Sequence, residues 1–352
     1  MNSVREEDIK YIKNKIPYKE CENKVFLITG ANGFLASYMV DTLMFLNQHF
    51  LEIKCTVIAL CRNRKKAEER FKEWLKNENF ILRIQCVEEP VSDCINADYI
   101  IHAASNSASV SAKTIPADIL KANIIGTYNL LEFARNKKVR SFLFFSSGAV
   151  YGNVAQGIDE LKETDFFPLS FNITENCYAE GKRAGEALCK AYFEQYGVPS
   201  KIVRIGHTYG PGIDLQDGHV YSDFVSKLIQ RENLTVHDGS AVRPFCYVSD
   251  AITAFFKILL EGESGEVYNM VNKDETISVY ELAMRLVKEA FPERKLKVEC
   301  KKKGVNTEKV TVNIDKLTGL GWSPQIGVVE GFRRTVKSFE EEIESGRLVW
   351  HN

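Results

Sequence analysis

Apolar and polar positions alternate along the first two thirds of the chain in a repeating strand and helix pattern. Short runs of Val, Ile, Leu and Phe, apolar on both faces, are typical of strands buried inside a parallel sheet. Longer stretches with helical apolar spacing lie between them. The predicted strands are 24–29, 55–60, 80–86, 98–104, 141–145 and 200–205, and the predicted helices are 34–50, 64–77, 117–137 and 177–196.

This order predicts an α/β fold with a Rossmann-like, doubly wound parallel sheet. After residue 206 the pattern loosens into turns rich in Gly, Pro and Asp, which indicates a smaller mixed α/β C-terminal substrate domain. The predicted organisation is an N-terminal helical extension at 1–22, a Rossmann domain at 23–207 with an interleaved return near 236–262, and a second domain mainly at 208–352.

Composition and charge narrow the possible partners. The net charge of −1 provides no field to attract nucleic acid or an anionic membrane. Residues 1–16 lack the apolar core of a signal peptide, and no window reaches the roughly 18 apolar residues that cross a bilayer. The nine cysteines include no C-x-x-C pair, which fits a reducing compartment. We therefore expect a cytoplasmic protein with no metal, no nucleic acid and no membrane among its partners.

The turn after the first predicted strand has the spacing of a dinucleotide-binding loop. Gly30 permits a tight turn, Gly33 lets backbone N–H groups approach a pyrophosphate, and Ala36 lets the next helix pack close to the sheet. The N-terminus of that helix would face the anion. This strand, loop and helix sequence predicts a bound dinucleotide.

The end of the second predicted strand indicates which dinucleotide binds. NAD sites place a carboxylate there for the ribose hydroxyls, but this sequence reads "ALCRNRKK" and has no acid before Glu68. Arg62 stands where a 2′-phosphate would lie, and Arg64 or Lys65 would assist it. NADP is therefore the predicted cofactor, with NAD as the alternative.

A second group of residues has the chemistry of hydride transfer. Tyr178 and Lys182 are one helical turn apart and share a face. A free phenol has a pKa of about 10, which a nearby ammonium lowers by stabilising the phenolate. Lys182 would also bind the nicotinamide ribose, and Ser147 would hold the reacting substrate oxygen against Tyr178. The neighbouring Ser146 is expected to support the turn.

Taken together, the motifs resemble the extended short-chain dehydrogenases/reductases that act on nucleotide sugars. The likeness begins at about residue 23, covers nearly all of the chain, and is strongest to the UDP-glucuronate decarboxylase-like group. It implies a nucleoside-diphosphate sugar as substrate and a homodimer formed through helix 117–137 and the helix that carries Tyr178. The motifs are "TGANGFLA", "IIHAAS", "NIIGTYNLLEFA", "SSGAVYG", "YAEGKR", "YGPG", "RPFCYVSDA" and "LGWSP".

The resemblance also implies site residues, position by position. Arg243 would contact the diphosphate, since a guanidinium fits two phosphate oxygens. His207 stands where the family usually has an Asn, and Cys86 where it often has an Asp touching the adenine. The implied substrate-binding residues are Ser105, His207 and Arg243. The implied cofactor-binding residues are Gly30, Asn32, Gly33, Phe34, Leu35, Ala36, Arg62, Asn63, His102, Ala103, Ala104 and Lys182.

The residues after Ser147 disfavour two of the family's reactions. The resemblance implies that 4,6-dehydratases carry Asp-Glu there, and that decarboxylases keep the Glu and add an Arg after a later Gly-Pro. This chain has Gly148, Ala149 and Gly212 at those positions, and none can donate a proton or bind a carboxylate. The acids that could substitute from a loop are Glu160, Glu163, Glu175 and Glu180.

The chemistry that remains needs only Ser147, Tyr178, Lys182 and a nicotinamide. The predicted function is an NADP(H)-dependent oxidoreductase that reduces a nucleotide-linked 4-keto sugar. The alternative is a nucleotide-sugar 4-epimerase with retained NAD. Behind these come a 4,6-dehydratase or UDP-glucuronate decarboxylase, and last a non-catalytic NADP-binding or sugar-nucleotide-binding scaffold, which the intact Ser, Tyr and Lys disfavour.

Overall fold

A computed structural model describes residues 2–105, 109–170, 174–301 and 309–348. The helix at Val279–Arg285 continues into a π-helical turn at Leu286–Ala290. The helices are α1 (Ser3–Lys15), α2 (Phe34–His49), α3 (Arg64–Arg70), α4 (Ser109–Thr114), α5 (Pro116–Lys137), α6 (Cys177–Tyr196), α7 (Val220–Gln230), α8 (Val248–Glu261), α9 (Val279–Arg285), α10 (Asp315–Gly319) and α11 (Val328–Glu344).

The strands divide between one large sheet and three small ones. In chain order they are β1 (Val25–Thr29), β2 (Thr56–Cys61), β3 (Phe80–Ile84), β4 (Tyr99–His102), β5 (Ser141–Ser147), β6 (Glu160–Leu161), β7 (Ser200–Ile205), β8 (His207–Tyr209), β9 (Leu234–Val236), β10 (Val242–Tyr247), β11 (Val267–Met270), β12 (Thr276–Ser278), β13 (Val298–Cys300) and β14 (Thr311–Val312).

The large sheet has seven parallel strands in the order β11-β7-β5-β4-β1-β2-β3 within the described ranges. The chain winds outwards from β1 in both directions, so the strand order reverses between β1 and β4. This confirms the predicted Rossmann-like class. The small sheets β12-β10-β8, β13-β9 and β14-β6 supply the mixed C-terminal part.

Side chains of the central strands alternate between two apolar cores. Phe26 and Ile28 of β1 belong to the core formed with α2 and α8, whereas Leu27 belongs to the core formed with α5 and α6. This period of two is what a strand covered on both faces requires. Each buried Phe or Leu contributes roughly 1.5–3 kcal/mol, so both helix layers are held firmly on the sheet.

Two elements differ from the sequence expectation. The helix predicted at 64–77 ends as α3 at Arg70, because the following turns point both Phe71 and Trp74 into the core. The seventh strand, β11, was not predicted at all. β11 pairs with β7. The preceding helix α8 packs the ring of Phe255 4.5 Å from the ring of Phe145. Residues 248–270, which include α8 and β11, thus complete the large sheet. The domain boundaries stay a prediction.

The N-terminal helix α1 lies against α2, α8 and α11 rather than apart from them. Its apolar residues Val4, Ile9 and Ile12 are buried. No helix in the described part of the chain is long and apolar enough to cross a bilayer.

Candidate active site

The loop between β1 and α2 needs glycine at its first position for two reasons. Gly30 has φ +60°, and a Cβ there would lie 2.8 Å from the Cα of Ala104. Gly33 precedes α2, and its N–H donates to the Gly30 carbonyl at 2.8 Å. The loop therefore closes tightly against the end of β4 and leaves the N-terminus of α2 open to an anion.

A cavity of about 330 Å³ opens beside this loop. It lies at the carboxyl ends of β1, β2 and β4, where the strand order reverses, which is where doubly wound sheets bind their ligands. Its lining includes predicted site residues from all three strands and the loop: Gly30, Asn32, Gly33, Arg62, Asn63, Ala103, Ala104 and Ser105.

The cationic end of the cavity differs in detail from the prediction. Arg62 and Lys66 both line it, whereas the predicted helper Arg64 pairs with Glu68 at 3.2 Å. Asn63 caps α3 by accepting from the backbone N–H of Lys66 at 3.0 Å. Sequence reasoning missed Lys66, although its place one turn after the strand end is a usable signal.

The other lining residues show where the adenine end differs. Gln85, Val87 and Glu88 line the cavity, while Cys86 between them is exposed and does not. These residues lie beyond the end of β3 at Ile84, and the chain on either side of Cys86 lines the cavity instead. Cys86, which stands where the resemblance implies an Asp touching the adenine, is therefore not part of the described cavity lining.

His102 lies behind the loop and not in the cavity lining. It is 1 % exposed, with Nδ1 2.9 Å from the Thr29 hydroxyl and Nε2 3.0 Å from the Thr127 hydroxyl. Thr127 donates its own proton to the Asn123 carbonyl, so its oxygen accepts from Nε2–H. Burial, together with the charge of Lys182, lowers the pKa of His102 to about 3, so the ring is neutral. Phe34 and Leu35 are also absent from the described lining.

The three predicted catalytic side chains come from neighbouring elements. Ser147 ends β5 and accepts from the Ala149 N–H at 3.2 Å. Tyr178 is the second residue of α6 and is half-buried. Burial raises the pKa of the Tyr178 phenol above its ordinary value, against the smaller opposing effect of its hydrogen bond with Ser147, so the pKa is not lowered as the sequence predicts. The structure thus brings Ser147 and Tyr178 into contact.

Lys182 follows one turn later and is almost fully buried. Its Nζ donates to the Phe145 carbonyl at 2.6 Å and lies 5.7 Å from the centre of the Tyr178 ring. Burial lowers the pKa of Lys182 to about 7, and the charge of Glu186 opposes that shift. The ammonium therefore lies close enough to Tyr178 to stabilise a phenolate.

Ser146 supports this arrangement from beneath. Its Oγ donates to Glu186 Oε1 at 2.5 Å, and Glu186 also accepts from Arg204 Nε at 3.0 Å and Nη2 at 2.8 Å. These contacts join β5, α6 and β7, the elements around the catalytic trio.

Asn123 is a buried polar residue that sequence reasoning missed. Its Nδ2 donates to Ser105 Oγ at 3.0 Å, but its Oδ1 is buried without a partner among the residues that the structure describes. Asn123 touches α6 between Tyr178 and Lys182, because a Cβ placed on Gly181 would lie 3.1 Å from the Cβ of Asn123. A polar residue on the apolar face of α5 is the signal that could have found it. An unpaired buried amide oxygen costs roughly 1–3 kcal/mol, which favours a bound group or water there.

The positions of the missing acid have space for one. A Cβ at Gly148 would be 3.8 Å from the Ile205 carbonyl, an ordinary contact, and both Gly148 and Ala149 are exposed. The four candidate substitutes each contact a group away from Ser147. Glu160 accepts from the Asn313 side-chain amide, and Glu163 accepts from the Asn269 N–H. Glu175 pairs with Lys113, and Glu180 pairs with Arg183.

Two predicted substrate residues lie on paired strands. His207 of β8 is opposite Phe245 of β10, two residues along that strand from Arg243. Burial, followed by the charges of Arg243 and His219, lowers the pKa of His207 to about 3. The ring of His219 stacks 5.0 Å from that of Tyr221. Burial raises the pKa of Tyr221, with smaller contributions from Asp217 and Tyr178.

Comparison with known proteins identifies the family of the chain. Residues 26–271 match the NAD dependent epimerase/dehydratase family. UDP-glucuronic acid decarboxylase 1 of Danio rerio is 31% identical over 352 residues, which cover 97% of this chain and 79% of the relative. UDP-glucuronic acid decarboxylase 6 of Arabidopsis thaliana is 32% identical over 311 residues, which cover 88% and 87%.

Solved structures share the fold. UDP-glucose 4-epimerase of Thermotoga maritima, with UDP-glucose, superposes with a TM-score of 0.76 at 24% identity and covers 91% of this chain and 99% of its own. dTDP-glucose 4,6-dehydratase of Bacillus anthracis, in complex with NAD, gives 0.74 at 21% identity and covers 91% and 98%. The chain belongs to the NAD dependent epimerase/dehydratase family and is an enzyme of the extended short-chain dehydrogenase/reductase type.

Proposed function

We propose that this enzyme is an NADP(H)-dependent reductase of a nucleoside-diphosphate-linked 4-keto sugar. One observation carries the proposal: Ser147, Tyr178 and Lys182 are assembled, while the next two positions, Gly148 and Ala149, have space for an acid and lack one. Elimination needs an acid for the leaving hydroxyl, whereas carbonyl reduction needs only a proton donor and a hydride.

The residues fit the family's nicotinamide dinucleotide. The Gly30 turn provides close backbone approach, the N-terminus of α2 favours the pyrophosphate, and the unpaired Oδ1 of Asn123 lies beside the α6 turn of the catalytic pair. When bound, the reduced coenzyme supplies the hydride. Every other step falls to the protein's own side chains.

The protein's part is to hold and protonate the carbonyl oxygen. Ser147 would donate a hydrogen bond to that oxygen, and Tyr178 would transfer its phenolic proton as negative charge develops there. Lys182 would stabilise the resulting phenolate, since its ammonium lies 5.7 Å from the ring centre. Arg243 and the neighbouring His207 would hold the diphosphate.

NADP is proposed as the coenzyme because of the cations at the end of β2. Arg62 and Lys66 line the cavity where a 2′-phosphate would lie. The alternative is NAD, since the family is NAD dependent and the Bacillus anthracis relative holds NAD by name.

Two other reactions compete. A 4-epimerase could use the same trio without an acid, provided that its coenzyme stayed bound. The names of the curated relatives favour UDP-glucuronate decarboxylation. Against decarboxylation stand Ala149 and Gly212, where the resemblance implies a Glu and an Arg.

The test is product analysis with three UDP-linked probes, UDP being the nucleotide in the relatives' names. With NADPH present, a UDP-4-keto sugar should give the 4-hydroxy sugar. The other two reactions begin with oxidation of the sugar, so they are assayed with oxidised NAD and NADP. Under those conditions UDP-glucose should give no 4-keto-6-deoxy product, and UDP-glucuronate should release no carbon dioxide. Carbon dioxide release would overturn the proposal in favour of the decarboxylase.

A further inference from the structure

The N-terminal helix α1 is tied to both halves of the molecule through polar groups. Asp8 accepts from the hydroxyls of Tyr247 at 2.8 Å and Tyr38 at 3.2 Å, and pairs with Arg334 at 3.2 Å. Tyr38 belongs to α2, on the cofactor side, whereas Tyr247 ends β10, on the substrate side. The helix therefore crosses between the two binding regions.

Arg5 makes the contacts on the cofactor side. Its Nη2 donates to Ser37 Oγ at 3.2 Å, and its guanidinium stacks 3.8 Å from the centre of the Tyr38 ring. Ser37 lies in the first turn of α2 and donates to the Phe34 carbonyl at 3.0 Å. Arg5 thus supports the helix turn that follows the Gly30–Gly33 loop.

Arg5 also faces the turn that follows the substrate strand β8. A Cβ on Gly212 would lie 3.1 Å from Arg5 Nη1, and Gly212 has φ +89°. A side chain at position 212 would therefore contact the Arg5 guanidinium, and it would also strain the backbone. An arginine side chain at position 212 would therefore begin directly beside the guanidinium of an arginine from the N-terminal helix.

The charge of Arg5 is held by a buried carboxylate. Its Nε lies 2.7 Å from Asp41 Oδ2, and Arg70 Nη2 lies 2.5 Å from the same oxygen. Although burial alone would raise the pKa of Asp41, Arg70 and Arg5 together hold it below its usual value. Asp41 thus stays ionised and fixes the guanidinium in place.

We propose that Arg5 is a positioning residue that couples the substrate turn Gly210–Gly212 to the first turn of α2, so that α1 sets how the cofactor loop faces the substrate strand. This role is independent of the reaction, but its effect on UDP binding rests on the proposed function.

The test compares Arg5→Met with Arg70→Gln in the full-length chain. Both variants remove one of the two cations on Asp41, so both should lose stability, but only Arg5 reaches Ser37 and the Gly212 turn. Hydrogen exchange of the segment 210–213 should become about five-fold faster in Arg5→Met, because the guanidinium no longer packs against the Gly212 turn, and should stay unchanged in Arg70→Gln. The dissociation constant of UDP, measured by calorimetry, should rise by a similar factor in Arg5→Met alone.

Two outcomes overturn the proposal: unchanged exchange at 210–213 in Arg5→Met, or equal acceleration in Arg70→Gln. If Arg5→Met does not fold, Arg5→Lys replaces it in the test. Lysine keeps a cation near Asp41 but lacks the forked guanidinium, so hydrogen exchange at 210–213 should still become faster. If wild-type protein binds no UDP, the proposed function fails, while the exchange result still decides this inference.

Discussion

At the residue scale, the proposed reaction depends on Tyr178 as the proton donor. Tyr178→Phe removes only the phenolic oxygen, so the fold and coenzyme binding should remain. Turnover should fall by roughly 10²- to 10⁴-fold, the range for a positioned general acid. Ser147→Ala should cost less, because it removes one hydrogen bond to the reacting oxygen. Steady-state kinetics on the identified substrate checks this, and full activity in Tyr178→Phe would refute the assigned role.

Coenzyme choice is also a property of single residues. Arg62→Ala should raise the Michaelis constant for NADPH roughly ten-fold and leave that for NADH nearly unchanged, since only the 2′-phosphate loses a charge-assisted bond. Arg64→Ala is the matched control, because Arg64 pairs with Glu68 and does not line the cavity. An equal effect of Arg62→Ala on both coenzymes would count against NADP.

The charge of Lys182 should appear in the pH profile. Since burial lowers its pKa to about 7 and Glu186 opposes this, the ammonium form is present below pH 7 and is lost above it. The kcat/KM at saturating NADPH should therefore decline as the pH rises through about 7. Glu186→Gln should move that decline to lower pH. A decline at the same pH in both proteins would show that Lys182 does not set it.

At the element scale, α1 introduces a buried acid. Burial raises the pKa of Asp8 to about 6, against the opposing effects of Tyr247 and Arg334. A carboxyl with a raised folded pKa stabilises the protein below its unfolded pKa of about 3.9 and loses that stabilisation as the pH rises through about 6. The free energy of unfolding of the wild type, relative to Asp8→Asn, should thus fall by up to about 3 kcal/mol between pH 4 and pH 7. Urea unfolding at several pH values measures it, and a constant difference would contradict the raised pKa.

The sequence predicted long elements better than short ones. β1, β2, α5 and α6 lie within a few residues of their predicted bounds, because their apolar runs satisfy local periodicity and sheet burial together. Strands such as β11, β12 and β14, with two to four residues, carry too little pattern and form through pairing with distant partners. The end of α3 depended on where Trp74 packs, which is a tertiary contact.

At the scale of the whole molecule, site residues were also predicted where their role depends on nearby sequence and missed where it depends on the fold. The Gly30 loop and Arg62 were predicted because each function is local to one turn. Lys66 was missed because the sequence does not show which of the cations at 62–66 faces the cavity, whereas the fold places Arg62 and Lys66 in its lining and Arg64 against Glu68.

The surface of α5 and α6 supports the proposed homodimer. Ile124, Ile125 and Tyr128 of α5 are 38 to 48% exposed, and Tyr196 of α6 is 41% exposed. An apolar face on paired helices is typical of a two-fold interface. Light scattering at micromolar concentration should give twice the chain mass, and Ile125→Glu should shift the protein towards monomer. A strictly monomeric wild type would contradict the homodimer.

The reaction itself is tested most directly by the ratio of NADPH oxidised to sugar converted. Reduction of a UDP-linked 4-keto sugar consumes one coenzyme for each sugar, whereas epimerisation, dehydration and decarboxylation return the hydride and consume none. With purified enzyme and both species quantified in one reaction, one NADPH should be oxidised for each sugar reduced. Tyr178→Phe should slow the reaction without changing this ratio. Sugar conversion without net NADPH oxidation would contradict it.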